Sequence, residues 1–309
     1  TGGIPSAKTY ERVISIIDSQ ELNKIFVDFI KEIQFMEDKT FKDIFSFDGK
    51  VDQGSARKKA NITEEVKPLN VLNVYSDKLN MCIEQELIEE KTNEITGIPE
   101  IIKRLDLKGA ICTWDALNTQ KENIKAVISK KGDYCVALKR NHGNFYQDVE
   151  DYFDEDKLLL IQSGYEGGYL LTREKSHSGI ITYEYYQTED VKWYAEYKEW
   201  EGLKSIGLVK KTIEKADGSK VEEKRYYISS LLLNTAEFSN AIRKHWNVEN
   251  KLHWQMDFTF KCDSNTTVNK KALYNLQIIK KFCLTILNEV KKIKNKSLKR
   301  IRKDISRNV

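Results

Sequence analysis

Proline is scarce in this sequence: Pro5, Pro68 and Pro99 are three residues in 309. No Pro/Gly/Ser-rich linker divides the chain, and no internal repeat is visible. The five cysteines, Cys82, Cys112, Cys135, Cys262 and Cys283, are odd in number and contain no CxxC pair. A disulfide framework and a zinc ribbon are both disfavoured, and reduced thiols partly buried in a core are expected. No apolar run approaches the length of a membrane span, so none is expected. The opening Thr-Gly-Gly-Ile-Pro has no basic stretch followed by an apolar run, so no secretory leader is expected, and the expected location is cytoplasmic. Neither GxxxxGK nor GxGxxG occurs, so nucleotide-cofactor chemistry has no support.

What is present is apolar material at 40% and charge at 32%. That suffices for one large core, or one core carrying an inserted subdomain. The net charge of +4 is unevenly placed. Residues 291–309 hold nine Lys/Arg against Asp304 alone, a local +8 that leaves the rest of the chain acidic. Such a tail suggests nucleic acid as a partner; a solvated tail is the plainer alternative.

Along the chain, Thr9 to Glu32 has the apolar spacing of amphipathic helix, with two helices meeting near Ser19. Phe45–Val51, Leu69–Tyr75 and Leu79–Leu87 read as strands, the last two joined by a turn at Ser76-Asp77-Lys78. Ile98–Leu105 reads as helix, Lys108–Trp114 as a buried strand, Thr119–Lys131 as helix and Asp133–Lys139 as strand. The order is βββαβαβ. Tyr146–Leu160 reads as one acidic helix. Four strands follow (169–172, 180–187, 204–213 and 222–230), the last hairpin turning at Ala216-Asp-Gly-Ser219. Helix dominates after Thr235. These elements predict an α/β mixed sheet with helices on its faces.

Asp48 lies in one strand and Asp115 ends another. In open α/β sheets, ligands bind beyond the carboxyl ends of strands. The alternative for Asp115 is a helix cap. The segment from Arg243 to Asp257 is the densest in polar and aromatic residues. As a helix it would set His245, Glu249 and His253 on one face, with Trp246, Asn250, Trp254 and Asp257 beside them. A packing helix with a polar edge, or a zinc site without the HExxH pattern, are the alternatives. Phosphodiester chemistry gives Asp48, Asp115 and Glu249 a common purpose, because three carboxylates can hold two hard divalent cations.

The chain resembles the DDE transposases of the ISAs1 group, within the IS4-like class and also known as H-repeat-associated proteins. The likeness runs through Pro5-Ser-Ala-Lys-Thr9 with Arg12, Asp48-Gly-Lys50 with Gly54-Ser55, and Glu90 to Pro99. It continues through Leu105 to Ala110, Asp115-Ala116, Gln120-Lys121, Asp133-Tyr134 and Ala137 to Asn141. Tyr227 to Leu231 and the His245-Trp…Glu249-Asn…Leu252-His-Trp254…Asp257 box complete it. Departures are Gln53, Asn70, Tyr183 and Cys262, where relatives usually carry Arg, His, Arg and Glu.

The resemblance implies an RNase H-like fold with a helical N-terminal lead-in over 1–40. The catalytic core would be 41–140 with 236–290, around a β-rich insertion over 141–235 that precedes the last catalytic helix; 291–309 is the basic tail. It implies Asp48, Asp115 and Glu249 as catalytic metal ligands for Mg²⁺, with Mn²⁺ as a substitute. Lys50, Lys139, Arg243, His245, Asn250, His253 and Trp254 would contact DNA or support the ligands. The implied partners are double-stranded DNA, as transposon ends and target, and a second copy in a homodimer associated with the nucleoid. Two other functions share the residues: a metal-dependent nuclease without strand transfer, and a DNA-binding relic that has lost catalysis.

Overall fold

The computed structural model describes residues 3, 5–36, 42–58, 65–66, 68–88, 94–176, 179–265, 267 and 269–307. Part of the Glu90–Pro99 likeness, residues 90–93, lies outside them. The chain forms two compact units. The first comprises Thr1–Phe41, Ser46–Gly97 and Trp246–Val309; the second comprises Lys42–Phe45 and Ile98–His245.

The first unit opens with α1 (Ala7–Ile16) and α2 (Ser19–Met36). The break between them follows from capping: Oδ1 of Asp18 accepts from the backbone N–H of Gln20 at 2.9 Å and of Glu21 at 3.0 Å. Next come β1 (Asp43–Asp52), the short β2 (Arg57–Lys58) and β3 (Glu65–Val66), then β4 (Leu69–Ser76) and β5 (Met81–Ile88). The sheet order here is β5-β4-β1, with β4 and β5 antiparallel and a bulge between Val74 and Tyr75.

Near-continuous apolar runs in β4 are buried on both faces, as Val71, Leu72 and Val74 show. On the carboxyl-terminal side lie α8 (Trp254–Phe258), α9 (Lys270–Lys294) and α10 (Leu298–Ser306). Asn275 of α9 donates from Nδ2 to the carbonyls of Ile14 and Ile17, both at 2.9 Å. Its buried amide thereby satisfies the carbonyls left open at the end of α1. Phe282 packs against Phe26 and Phe29, with ring centroids 5.1 and 4.8 Å apart.

The second unit holds α3 from Ile98 onward (the helix runs Glu94–Arg104), β6 (Ala110–Thr113), α4 (Lys121–Ser129) and β7 (Asp133–Leu138). Then come α5 (Asn144–Tyr152), α6 (Glu155–Gln162), β8 (Gly168–Ser176), β9 (Gly179–Thr188), β10 (Ser205–Glu214), β11 (Lys220–Ser229) and α7 (Thr235–His245). Its strand order is β1-β6-β7-β11-β10-β9-β8, β1 contributing its first residues. β6 and β7 are parallel, while β11 joins β7 antiparallel with Tyr226 opposite Leu138 and Ser229 opposite Cys135. The four β-rich strands after residue 141 therefore extend the sheet of β6 and β7. Ile111, Tyr185, Val209, Tyr227, Phe238 and Ile242 form a common core.

Two local outcomes follow from particular side chains. The acidic stretch expected as one helix is two, because Asp154 caps α6 by accepting from the Lys157 N–H at 2.8 Å. The turn between β10 and β11 lies where Ala216-Asp-Gly-Ser219 placed it, with Gly218 at φ +81° supplying the left-handed residue. Four cysteines are buried and Cys283 is exposed, all as free thiols. No described helix is long and apolar enough to cross a membrane.

Candidate active site

In the second unit, β6 runs through Thr113 to the buried Trp114 and delivers Asp115 at its carboxyl end. Asp115 stands before the single turn Ala116–Asn118, yet its side chain makes no capping hydrogen bond there. The carboxylate is 62% exposed and its Oδ1 lies 3.7 Å from Nε2 of His245, the last residue of α7. The other ring nitrogen, Nδ1, sits 3.1 Å from the Thr113 hydroxyl. The His245 ring beside it holds the Asp115 carboxyl below the usual carboxylate range; partial burial opposes this and the charges of Lys139 and Arg225 assist. Lys139 is exposed just beyond β7, the parallel neighbour of β6. Arg243 is committed to Glu174, with Nη2 2.6 Å from Oε2, and its guanidinium lies over the Tyr183 ring at 5.0 Å.

In the first unit, Asp48 sits in β1 with its side chain 19% exposed and Oδ2 3.4 Å from Nδ1 of His253. His253 Nε2 faces Nδ2 of Asn73 at 3.3 Å. Burial, and then the charges of Lys50 and Lys281, push the His253 pKa down to about 3, so the ring is neutral. Gly49 leaves room for the carboxyl end of Glu94: a Cβ there would stand 2.0 Å from Glu94 Oε1. Lys50 is buried, with Nζ 2.6 Å from Asp257 Oδ2 and 3.8 Å from Asp263 Oδ1. Its charge is therefore used inside the unit.

The His245–Glu249–His253 row does not lie on one α-helix. α7 ends at His245, and Val248–His253 is a π-helical stretch leading into α8. A π turn takes more residues than the 3.6 of an α turn, so a face counted in α-helical register does not carry through it unchanged. His245 lies beside Asp115, and His253 beside Asp48. Val248 and Leu252 anchor the π stretch in the core, which leaves Glu249 and Asn250 exposed. Trp254 is half exposed and stacks on Phe258, with centroids 4.5 Å apart and planes 11° from parallel. Lys299 of α10 lies over the Phe258 ring at 5.5 Å.

The candidate donors Asp48, Asp115 and Glu249 offer carboxylate oxygen, the kind that hard divalent cations take. Among the described residues, no three of His, Cys, Asp and Glu are gathered into a cluster able to hold a metal ion. Sequence reading missed Asn73 and Lys281, which stand behind His253. The available signals were an asparagine in the apolar run of β4 and a lysine in the apolar periodicity of α9, each requiring a polar partner once buried.

The transposase DDE domain family model matches residues 11–287. "Putative transposase YncI" of Escherichia coli O157:H7 is 33% identical over 99% of this chain and 76% of its own length. "H repeat-associated putative transposase YhhI" of Escherichia coli strain K12 is 30% identical over 97% of this chain and 78% of its own. A solved piggyBac transposase synaptic complex with hairpin DNA aligns over 85% of this chain and 56% of that one, at 11% identity and a TM-score of 0.36, too loose a likeness to define the fold. With a family match across most of its length, and relatives at this identity aligned over nearly all of this chain and about three quarters of their own, the chain belongs to the DDE transposase family, alongside the H repeat-associated transposases.

Proposed function

We propose that this protein cuts and joins DNA strands through Asp48, Asp115 and Glu249 on an RNase H-like core. The observation that supports it most is Asp115: a carboxylate at the end of a buried strand, exposed, unused as a cap, and held ionised beside His245. These three residues would hold Mg²⁺, or Mn²⁺ in its place. Such ions, when bound, supply charge that activates the attacking oxygen and stabilises the leaving one.

In the cleavage step, water attacks a phosphodiester at the transposon end and the bond to the 3′ oxygen breaks, leaving a 3′-hydroxyl and a 5′-phosphate. In the joining step, that 3′-hydroxyl attacks a target phosphodiester, and the bond to its 3′ oxygen breaks in turn. His253 and His245 orient the carboxylates of Asp48 and Asp115. Glu249 and Asn250 face outward from the π stretch toward DNA, with Trp254 beside them. Lys139 and the basic residues of α10 contact phosphates of double-stranded end and target DNA, which position the duplex without reading its sequence. Lys50 and Arg243 support the site through their ion pairs. The segment 141–235 is an insertion in the catalytic core, and synapsis of two ends brings a second copy of the chain.

The test is incubation of purified protein with its own end DNA and Mg²⁺, following cleavage and joining separately. Both products, absent from Glu249→Gln, support the reading. Cleavage without joining reduces it to a nuclease, and DNA binding with neither product reduces it to a relic.

A further inference from the structure

Asn73 lies in the middle of β4 between the fully buried Leu72 and Val74 and is itself 1% exposed. A buried amide is tolerated when each of its ends finds a partner. Its Oδ1 accepts from Nζ of Lys281, a lysine 3% exposed in α9 that also donates to Oε1 of Gln85. An ammonium has only donors, so the oxygen end of Asn73 must face it. Its Nδ2 donates to the Val71 carbonyl at 2.9 Å, and a carbonyl can only accept. The amide is thus oriented twice, by the Lys281 donor at its oxygen and by the Val71 carbonyl, which can only accept, at its nitrogen.

The consequence passes to His253. Nδ2 of Asn73 lies 3.3 Å from His253 Nε2 and can only donate to it. A neutral imidazole that accepts at Nε2 carries its proton on Nδ1. Nδ1 is the nitrogen 3.4 Å from Asp48 Oδ2. The opposite tautomer would turn a lone pair toward the carboxylate. Asp48, Val71, Asn73, His253 and Lys281, which supply these groups, all belong to the first unit.

We propose that Asn73, clamped between Lys281 and Val71, is a positioning residue that fixes the His253 proton on Nδ1 and so holds the Asp48 carboxylate by an N–H donor. The purpose assigned to this relay rests on the reading of Asp48 as a metal ligand; the placement of the proton does not. Groups standing behind a ligand in this way typically change metal affinity by about 10–100-fold when removed.

The experiment uses the full chain with ¹⁵N-labelled histidine, reading the His253 tautomer from two-bond nitrogen–proton correlations in wild type, Asn73→Asp and Asn73→Ala. Mn²⁺ affinity is measured on the same samples. Wild type is expected to carry the proton on Nδ1 with Nε2 bare. Asn73→Asp keeps the shape and pairs with Lys281 but offers His253 only acceptors, so a proton is expected on Nε2. Asn73→Ala is expected to give mixed tautomers and Mn²⁺ affinity about tenfold weaker. A protonated Nε2 in wild type, or a bare one in Asn73→Asp, overturns the relay. Unchanged Mn²⁺ affinity in a folded Asn73→Ala protein with mixed tautomers overturns the positioning role. Should Asn73→Ala fail to fold, the wild-type and Asn73→Asp spectra decide. Wild-type protein that binds no Mn²⁺ removes Asp48 as a ligand, and the spectra still decide where the proton sits.

Discussion

Asp115 and His245 stand 130 residues apart in sequence, and the histidine's Nε2 lies 3.7 Å from the aspartate's Oδ1. The histidine's other nitrogen is taken by the Thr113 hydroxyl, one strand position before Trp114. The ring holds the pKa of the Asp115 carboxylate below its ordinary value, which favours the charged form. Asp115→Asn preserves shape and removes that charge. It is expected to lower Mg²⁺-dependent cleavage of the end DNA by more than about 100-fold, beyond the effect of losing an outer supporting group, with DNA affinity largely unchanged. Gel-based cleavage and binding assays on one preparation check it, and cleavage at the wild-type rate would remove Asp115 from the site.

A second expectation concerns a carboxylate away from the proposed ligands. Asp52 is fully buried; Oδ2 accepts from Gln277 Nε2 at 3.0 Å, and Oδ1 has no hydrogen-bond partner among the described residues. Burial raises its pKa from 3.8, with Gln277 and Lys280 opposing. Between the unfolded value and the higher folded one, the native state binds more protons, so Asp52 makes stability fall as pH rises through that window. Asp52→Asn should stabilise the protein by about 1 kcal/mol at pH 7, and the gain should vanish in acid, where the carboxyl is neutral in both states. Urea unfolding at the two pH values measures the difference.

Gly207 of β10 faces Phe238 of α7. A Cβ at this glycine would stand 2.3 Å from Phe238 Cζ and 2.8 Å from the Tyr186 carbonyl oxygen. The ring can move but the backbone oxygen cannot do so cheaply, so Gly207→Ala should destabilise the second unit by about 1–3 kcal/mol. Thermal unfolding of the variant tests it; an unchanged midpoint would mean that the helix and sheet pack less closely.

The basic end of the chain bears on DNA binding, but its deletion is a poor test. α10 buries Leu298 and Ile301, and Arg302 donates to the Thr259 carbonyl, so removing it would also strip packing from the first unit. Replacing the exposed Lys299, Arg300, Lys303 and Arg307 by Gln leaves those contacts in place. If each contacts a phosphate, the dependence of log affinity on log salt should flatten by about 0.9 per contact, alike for specific and random duplexes. Fluorescence anisotropy over a salt series checks it, and an unchanged slope would mean that these charges are only solvated.

Much of the architecture was legible because its signals are local. The alternation in Ile180–Gln187, the apolar run Leu69–Tyr75 and the turn at Asp217-Gly218 each specify their element without help from the rest of the chain. The helix caps at Asp18 and Asp154 are equally local, yet the apolar spacing shows a break only at the first. The box from His245 to Asp257 stands out by its residue types but its shape does not: periodicity assumes 3.6 residues per turn, and a π stretch leaves no separate mark in composition. The pairing of β11 with β7 is not legible, because its register depends on partners 88 to 94 residues away. The Asn73–Lys281 clamp was hidden for the same reason. Its two members lie on different elements, and each looks alone like a polar interruption of an apolar pattern.

The central claim is that Asp48, Asp115 and Glu249 share divalent metal. A crystal structure of the protein soaked in Mn²⁺ tests it most directly, because the ion's anomalous scattering locates it independently of the protein. The account predicts strong anomalous peaks bounded by these three carboxylates, lost in Glu249→Gln. Peaks confined to other residues, or three carboxylates that stay apart with no ion between them, would contradict it.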